Sequence, residues 1–290
     1  MRFLAPIFAI GVVLLMHSLT PAAAGDLAID RVTFPSADGK TTLVGYLFHP
    51  RSAAGHPVPA VVMMHGRAGA YSSLANGVYD ASTLSKRHKL WGETLVDSGY
   101  LALLVDGFGP RGYPQGFPAH SYADRPAKLD EVAVRPLDAY GALAYLRTRR
   151  DVRGDRIALL GWSNGGSATL ASMSVGTPAF PQATPDTAFR GALAFYPACG
   201  LKGAFDDGYK PYAPVRVFIG TADEEVSPKV CRRLVNASEA AGGDVTLTIY
   251  PDATHDFDDP GRTRSSVAAN DAATRDAFPK ALHFLAERLR

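Results

Sequence analysis

The segment Ile157–Gly166, Ile-Ala-Leu-Leu-Gly-Trp-Ser-Asn-Gly-Gly, constrains this chain more than any other. Four apolar residues, as in a strand covered on both faces, run straight into Gly161-Trp162-Ser163-Asn164-Gly165. Small residues in a helical pattern follow through Leu170. A G-x-S-x-G stretch between a strand and a helix suits a nucleophile held on a sharp turn. Its backbone is strained there, and residues two positions away must be nearly free of side chain for the chain to bend. The following helix aims its free N–H groups and positive dipole end at the same point.

Around this stretch the chain alternates between two periodicities. Strands are predicted at 29–35, 42–50, 60–64, 100–105, 192–196, 214–220 and 245–250. Helices are predicted at 87–96, at 136–149, and from Ser227-Pro228 to about Ala241. A closing helix places Phe278, Leu282, Leu285 and Leu289 on one face, with Pro279 kinking it or marking its start. Strand and helix in alternation imply an α/β fold, a mostly parallel sheet with helices on both faces. Asp106–Ala133, rich in Gly, Pro and aromatics, is long enough to be an elaborated loop near a site. The polar stretch 70–85 reads as a surface loop.

Lys plus Arg number 30 against 28 acidic residues, a balance that implies neither a nucleic acid nor an anionic membrane as partner. Met1-Arg2, the apolar run Phe3–Met16 and Ala22-Ala23-Ala24-Gly25 have the three-part layout of a cleavable signal peptide. The run is shorter than the ~20 residues of a membrane span. The expected division is a signal peptide at 1–24 and one catalytic domain at 25–290, periplasmic or secreted, without a stable membrane anchor. In an oxidising compartment Cys199 and Cys231 are expected to pair, since each follows the end of a neighbouring strand; two buried free thiols are the alternative. With no C-x-x-C and no H-E-x-x-H, no metal or other cofactor is expected.

Three chemically matched residues fall at strand ends in the order Ser163, Asp223, His255. A serine hydroxyl needs a histidine to take its proton, and the histidine needs a buried acid to fix its tautomer and stabilise its cation. Two backbone N–H groups must converge on the developing oxyanion. Asn164, next after the nucleophile, supplies one; Arg67, in His65-Gly66-Arg67, supplies the other, with Ala68 as the alternative. Arg67, Arg111 and Trp162 are candidates for substrate contact, the arginines through a substrate carboxylate.

These residues resemble the dienelactone hydrolase family of the α/β hydrolases, in particular its secreted members. The resemblance rests on His65-Gly66-Arg67-Ala68-Gly69, Gly161–Gly166, Asp223 after Gly220, and His255-Asp256-Phe257. Arg135–Tyr140 and Tyr196-Pro197-Ala198-Cys199-Gly200 add to it, and the likeness covers essentially the whole mature chain. It implies an α/β-hydrolase fold and cleavage of small carboxylic esters or lactones through an acyl-enzyme. The name-giving enzymes use a cysteine nucleophile; Ser163 stands in that position here, which favours general ester chemistry. Only 198–213 separates two successive strands where related enzymes insert a lid, so no large lid domain is expected. Two alternatives accompany this reading: a peptidase resembling the prolyl oligopeptidase group, and an inactive binding protein on the same scaffold.

Overall fold

The computed structural model describes residues 27–50, 55–175, 177 and 188–290; the predicted signal segment 1–24 lies outside them, as does most of the connection 177–185. Alternating residues in Ile29–Pro35 (β1) and Thr42–Phe48 (β2) pair as an antiparallel hairpin. At its turn the Asp38 carboxylate accepts from the N–H groups of Lys40 and Thr41. Then come β3 (Val58–Met64), α1 (Lys86–Asp97), β4 (Leu101–Asp106), α2 (Arg135–Arg147), β5 (Val152–Trp162) and α3 (Asn164–Met173). Beyond α3 lie β6 (Ala192–Phe195), β7 (Val215–Gly220), α4 (Pro228–Ala240), β8 (Val245–Tyr250), α5 (Arg262–Ser265) and α6 (Ala268–Arg288).

The strands form one sheet in the order β1-β2-β4-β3-β5-β6-β7-β8, in which β2 runs against the rest. Its central strands are covered on both faces, and all six residues of β4 are buried. Adjacent residues of β5 show which helices cover which face, because successive side chains on a strand point to opposite sides. Trp162 packs edge-on against Trp91 of α1, and Trp91 stacks on Phe278 of α6 at 4.1 Å. Gly161 faces the other way: a Cβ there would lie 2.2 Å from Gly165 O and 2.4 Å from Thr169 Oγ1, both in α3. α1 and α6 therefore lie on one face, and α3, with α2 against it, on the other.

The element order agrees with the sequence reading; one of the two readings of Pro279, the start of the closing helix, and the surface-loop reading of 70–85 do not hold. Pro279 sits inside α6, which starts at Ala268, well before it. Within 70–85, Tyr71 pairs with Leu84, and both are buried along with Ala70 and Ala75, so this segment folds back onto the core.

Candidate active site

The turn from β5 to α3 holds Ser163 at φ 52°, ψ −117°, a conformation that strains any residue with a Cβ. Close approach explains the glycines beside it. A Cβ on Gly165 would lie 2.0 Å from Met64 O, and Gly161 is crowded by α3. Any side chain at either position would push the elbow off β3 or α3. The Ser163 N–H is spent on Phe195 O at 2.9 Å, which docks the elbow on β6.

The loops after β7 and β8 bring the acid and the base to this turn. His255 Nε2 lies 2.9 Å from Ser163 Oγ, and Nδ1 lies 3.0 and 2.9 Å from the two Asp223 oxygens. With Nδ1–H donating to Asp223, Nε2 is left to accept the serine hydroxyl. The imidazole is 1% exposed, the serine 8%. Asp223 also accepts from the N–H groups of Glu225 and Val226, so its own loop orients it. Burial alone would lower the His255 pKa. The hydrogen bond to Asp223 and the negative charges of Asp256, Asp223 and Glu225 outweigh it and hold the pKa above 6.5.

This direction sets a pH dependence. His255 can take a proton from Ser163 only when neutral, so if it serves as the base, kcat/KM on an uncharged ester is expected to rise with pH through one ionisation whose midpoint lies above 6.5. A midpoint at or below about 6 in the pH–rate profile would contradict this environment.

The second segment at the nucleophile, His65-Gly66-Arg67, follows β3. Gly66 approaches so closely that a Cβ would lie 3.3 Å from Ser163 Cβ. Gly107 N–H donates to His65 Nε2 at 3.2 Å, and His65 Nδ1 donates to Gly66 O at 2.7 Å. Buried Arg135, at the start of α2, donates both to His65 O at 2.7 Å and to Asn164 Oδ1 at 2.6 Å. One guanidinium thus ties together the two segments that carry Arg67 and Asn164. Asn164 opens α3, where a helix N–H lacks an intrahelical acceptor.

Of the three predicted substrate contacts, Arg111 and Trp162 lie away from the cavities beside Ser163, and Arg67 lines one of them. Arg111 donates twice to buried Asp138, once to Asp38 and once to Gly107 O, and lines neither cavity beside Ser163. It is a structural arginine joining the loop after β4 to α2 and the hairpin turn. Trp162 is fully buried and donates to Asp258 at 2.9 Å on the α1 side, because strand alternation turns it away from the pocket. The Arg67 side chain is engaged by Glu225, Nε to Oε2 at 2.6 Å and Nη2 to Oε1, and by Phe117 O. This pairing joins the loops after β3 and β7 and holds Arg67 in the wall of a cavity beside Ser163.

The sequence reading missed several residues. A cavity of about 310 Å³ beside Ser163 is lined by Tyr122, Arg125, Glu131, Asn164, Glu225 and Val230, among others. Arg125 lies over the Tyr122 ring at 5.2 Å, and among the described residues its buried Nε has no hydrogen-bond partner. Behind the site, Asp258 accepts from both tryptophans, Trp91 at 2.7 Å and Trp162 at 2.9 Å, and from Tyr196 OH at 2.5 Å. Arg87 lies 3.5 Å from Asp258 and pairs with Asp256 at 2.8 Å and Asp259 at 3.0 Å. These contacts fix 255–259 against the core, and Tyr196 packs on the His255 ring. Cys199 and Cys231 form a disulfide, and Cys199 lines the cavity. Closing that loop contributes about 4 kcal/mol in the chain-entropy account. Among the described residues one trio, Glu225, His255 and Asp256, gathers metal-ligand atoms within 4.8 Å, but Arg67 and Arg87 already neutralise its two carboxylates.

An open sheet of this order, with a serine where β5 gives way to α3, is the α/β-hydrolase fold. Within that class the match is to the dienelactone hydrolase family, whose model covers residues 43–289; the chain belongs to it. It is 30% identical over 156 residues to dipeptidyl aminopeptidase BIII of Pseudoxanthomonas mexicana, a stretch spanning 51% of this chain and 20% of that protein. It is 27% identical over 165 residues to a Bradyrhizobium protein described as a 2-oxo-3-(5-oxofuran-2-ylidene)propanoate lactonase, covering 56% of this chain and 64% of that one. The chain therefore spans less than two thirds of either relative. Among solved structures, a dienelactone hydrolase-like promiscuous phosphotriesterase from metagenomic libraries superposes with a TM-score of 0.67 at 19% identity, over 91% of this chain and 99% of the other.

Proposed function

We propose that this chain is a serine hydrolase of small carboxylic esters or lactones, working through Ser163, His255 and Asp223. The observation that carries the reading is the continuous hydrogen-bonded line from Asp223 through His255 to Ser163 on the strained elbow. His255 takes the serine proton as Oγ attacks the carbonyl carbon. The oxyanion is received by the N–H groups of Asn164 and Arg67, and Asp223 stabilises the imidazolium. His255 then protonates the leaving oxygen, and water repeats the sequence on the acyl-enzyme. The chain would act outside the cytoplasm, a reading supported by its N-terminal segment and by the Cys199–Cys231 bridge. The aminopeptidase relative does not favour a peptidase reading here, since the chain matches only 20% of it.

A cavity near 310 Å³ lies at the small end for ligand sites, and each methylene outside it forgoes about 0.8 kcal/mol of burial. Short acyl groups are therefore the expected substrates. Methyl butyrate is expected to exceed methyl decanoate in kcat/KM when hydrolysis is followed by titration of released acid. A preference for decanoate would contradict this pocket. The arginine that lines this cavity is Arg125; neither Arg67 nor Arg111 does. Arg125→Ala is expected to raise KM about tenfold or more for an ester carrying a carboxylate on its acyl part and to leave neutral methyl butyrate nearly unchanged. Equal losses on both would assign Arg125 to loop structure.

A further inference from the structure

Ser163 borders two separate cavities, and the histidine borders only one of them. The larger, about 310 Å³, contains Asn164 and Arg125 in its walls and not His255. The smaller, about 110 Å³, is lined by His255 and Arg67 together with Tyr71, Arg87, Asp256 and Asp259. We infer that the smaller cavity is the leaving-group subsite, built for a small alcohol and, in the second half-reaction, for water. The inference rests on the serine-hydrolase reading and adds to it an assignment of the two halves of the ester.

Proton transfer dictates the assignment. When the tetrahedral intermediate collapses, the bond from the carbonyl carbon to the alcohol oxygen breaks, and that oxygen takes the proton His255 Nε2 received from Ser163 Oγ. The departing alcohol must therefore stand beside Nε2, on the side that His255 lines. In deacylation, water gives its proton to Nε2 as its oxygen bonds to the acyl carbon. The Ser163 ester bond breaks, and Nε2 returns the proton to Oγ. By microscopic reversibility the water stands where the alcohol stood. The two proposed oxyanion donors divide in the same way, Arg67 lining the smaller cavity and Asn164 the larger. The acyl group is left with the larger one.

Size and polarity then name the class of leaving group. At about 110 Å³ against about 310 Å³, the smaller cavity suits the more compact half of the ester. The Arg87 guanidinium, held between Asp256 and Asp259, makes one wall charged and favours water or a short alcohol over an alkyl chain.

The test is a pair of ester series. One holds the acyl group at butyrate and lengthens the alcohol from methyl to hexyl; the other holds methyl and lengthens the acyl group from acetate to hexanoate. Alkyl alcohols differ little in acidity, so the first series reads fit. Between ethyl and hexyl, kcat/KM is expected to fall about tenfold or more, while the acyl series stays level or rises. Ala68→Leu, at the rim of the smaller cavity, should steepen the alcohol series alone, and Val230→Phe, in the larger, the acyl series alone. A level alcohol series, or a reversal of the two series or of the two variants, overturns the assignment while hydrolysis abolished by Ser163→Ala leaves the hydrolase reading standing. Absence of hydrolysis across both series would overturn the reading and the assignment together.

Discussion

Ser163→Ala and His255→Ala are each expected to lower kcat by about 10⁴–10⁶-fold, with the fold unchanged by circular dichroism. In the proposed mechanism the three residues act as a unit, so losing either Ser163 or His255 removes most of what the unit supplies. Among the described residues Ser163 Oγ has no other proton acceptor than Nε2, and of the other histidines only His120 and His88 line a cavity beside it, one in each. His88 donates Nδ1–H to Ala70 O, and burial brings its pKa down to about 3, so it is bound into the framework as a neutral ring. Asp223→Asn is expected to cost about 10⁴-fold, because an amide that donates to Nδ1 would select the wrong tautomer. Initial rates on methyl butyrate decide the matter. A Ser163→Ala protein with near wild-type turnover would remove the basis of the mechanism.

Asp258→Asn is expected to be the most damaging substitution outside the triad. The carboxylate is 1% exposed and takes donors from α1, the end of β5 and the end of β6. An asparagine can keep its oxygen toward the two indoles, but its NH₂ then replaces the acceptor of Tyr196 OH and faces the Arg87 guanidinium, which loses its buried negative partner. Breaking a buried, hydrogen-bonded charge network by removing one partner costs about 3–5 kcal/mol. For a domain of this size that lowers Tm by roughly 10 °C. The two indoles that donate to Asp258 are the only tryptophans in the chain, so their fluorescence reports on this contact. The substitution is expected to change tryptophan emission and to lower kcat more than it changes KM, since the segment it anchors carries His255 and no part of Asp258 lines a cavity beside Ser163. Asp155→Asn, at an exposed carboxylate, serves as control. Unchanged Tm and emission would contradict the clamp.

What could be read from sequence is what depends on near neighbours. The elbow declares itself because strand, glycines and helix stand within ten residues, and the structure gives each glycine a steric reason. Asp223 and His255 were legible because each follows a recognisable strand, apolar in β7 and alternating in β8, that ends at the same sheet edge. The cysteines were legible because the strands before them, β6 and β7, are neighbours. Arg111 was misassigned for the opposite reason. Its partners Asp38 and Asp138 lie 73 and 27 residues away, and nothing local marks a loop arginine as already neutralised. Trp162 could have been placed from strand alternation, since Gly161 had to face α3. Arg125 and Glu131 lie in a stretch without periodicity, so their convergence on the cavity leaves no trace in spacing. Asp258 looks like one more acid in His255-Asp256-Phe257-Asp258-Asp259; only the donors from three other elements distinguish it.

The central claim, that Ser163 is an activated nucleophile, is tested most directly by reacting the protein with a fluorophosphonate and measuring the intact mass and the modified peptide. The account predicts one adduct per chain, on Ser163, forming far more slowly in His255→Ala and not at all in Ser163→Ala. An unmodified protein, or an adduct on another residue with Ser163 free, would contradict it.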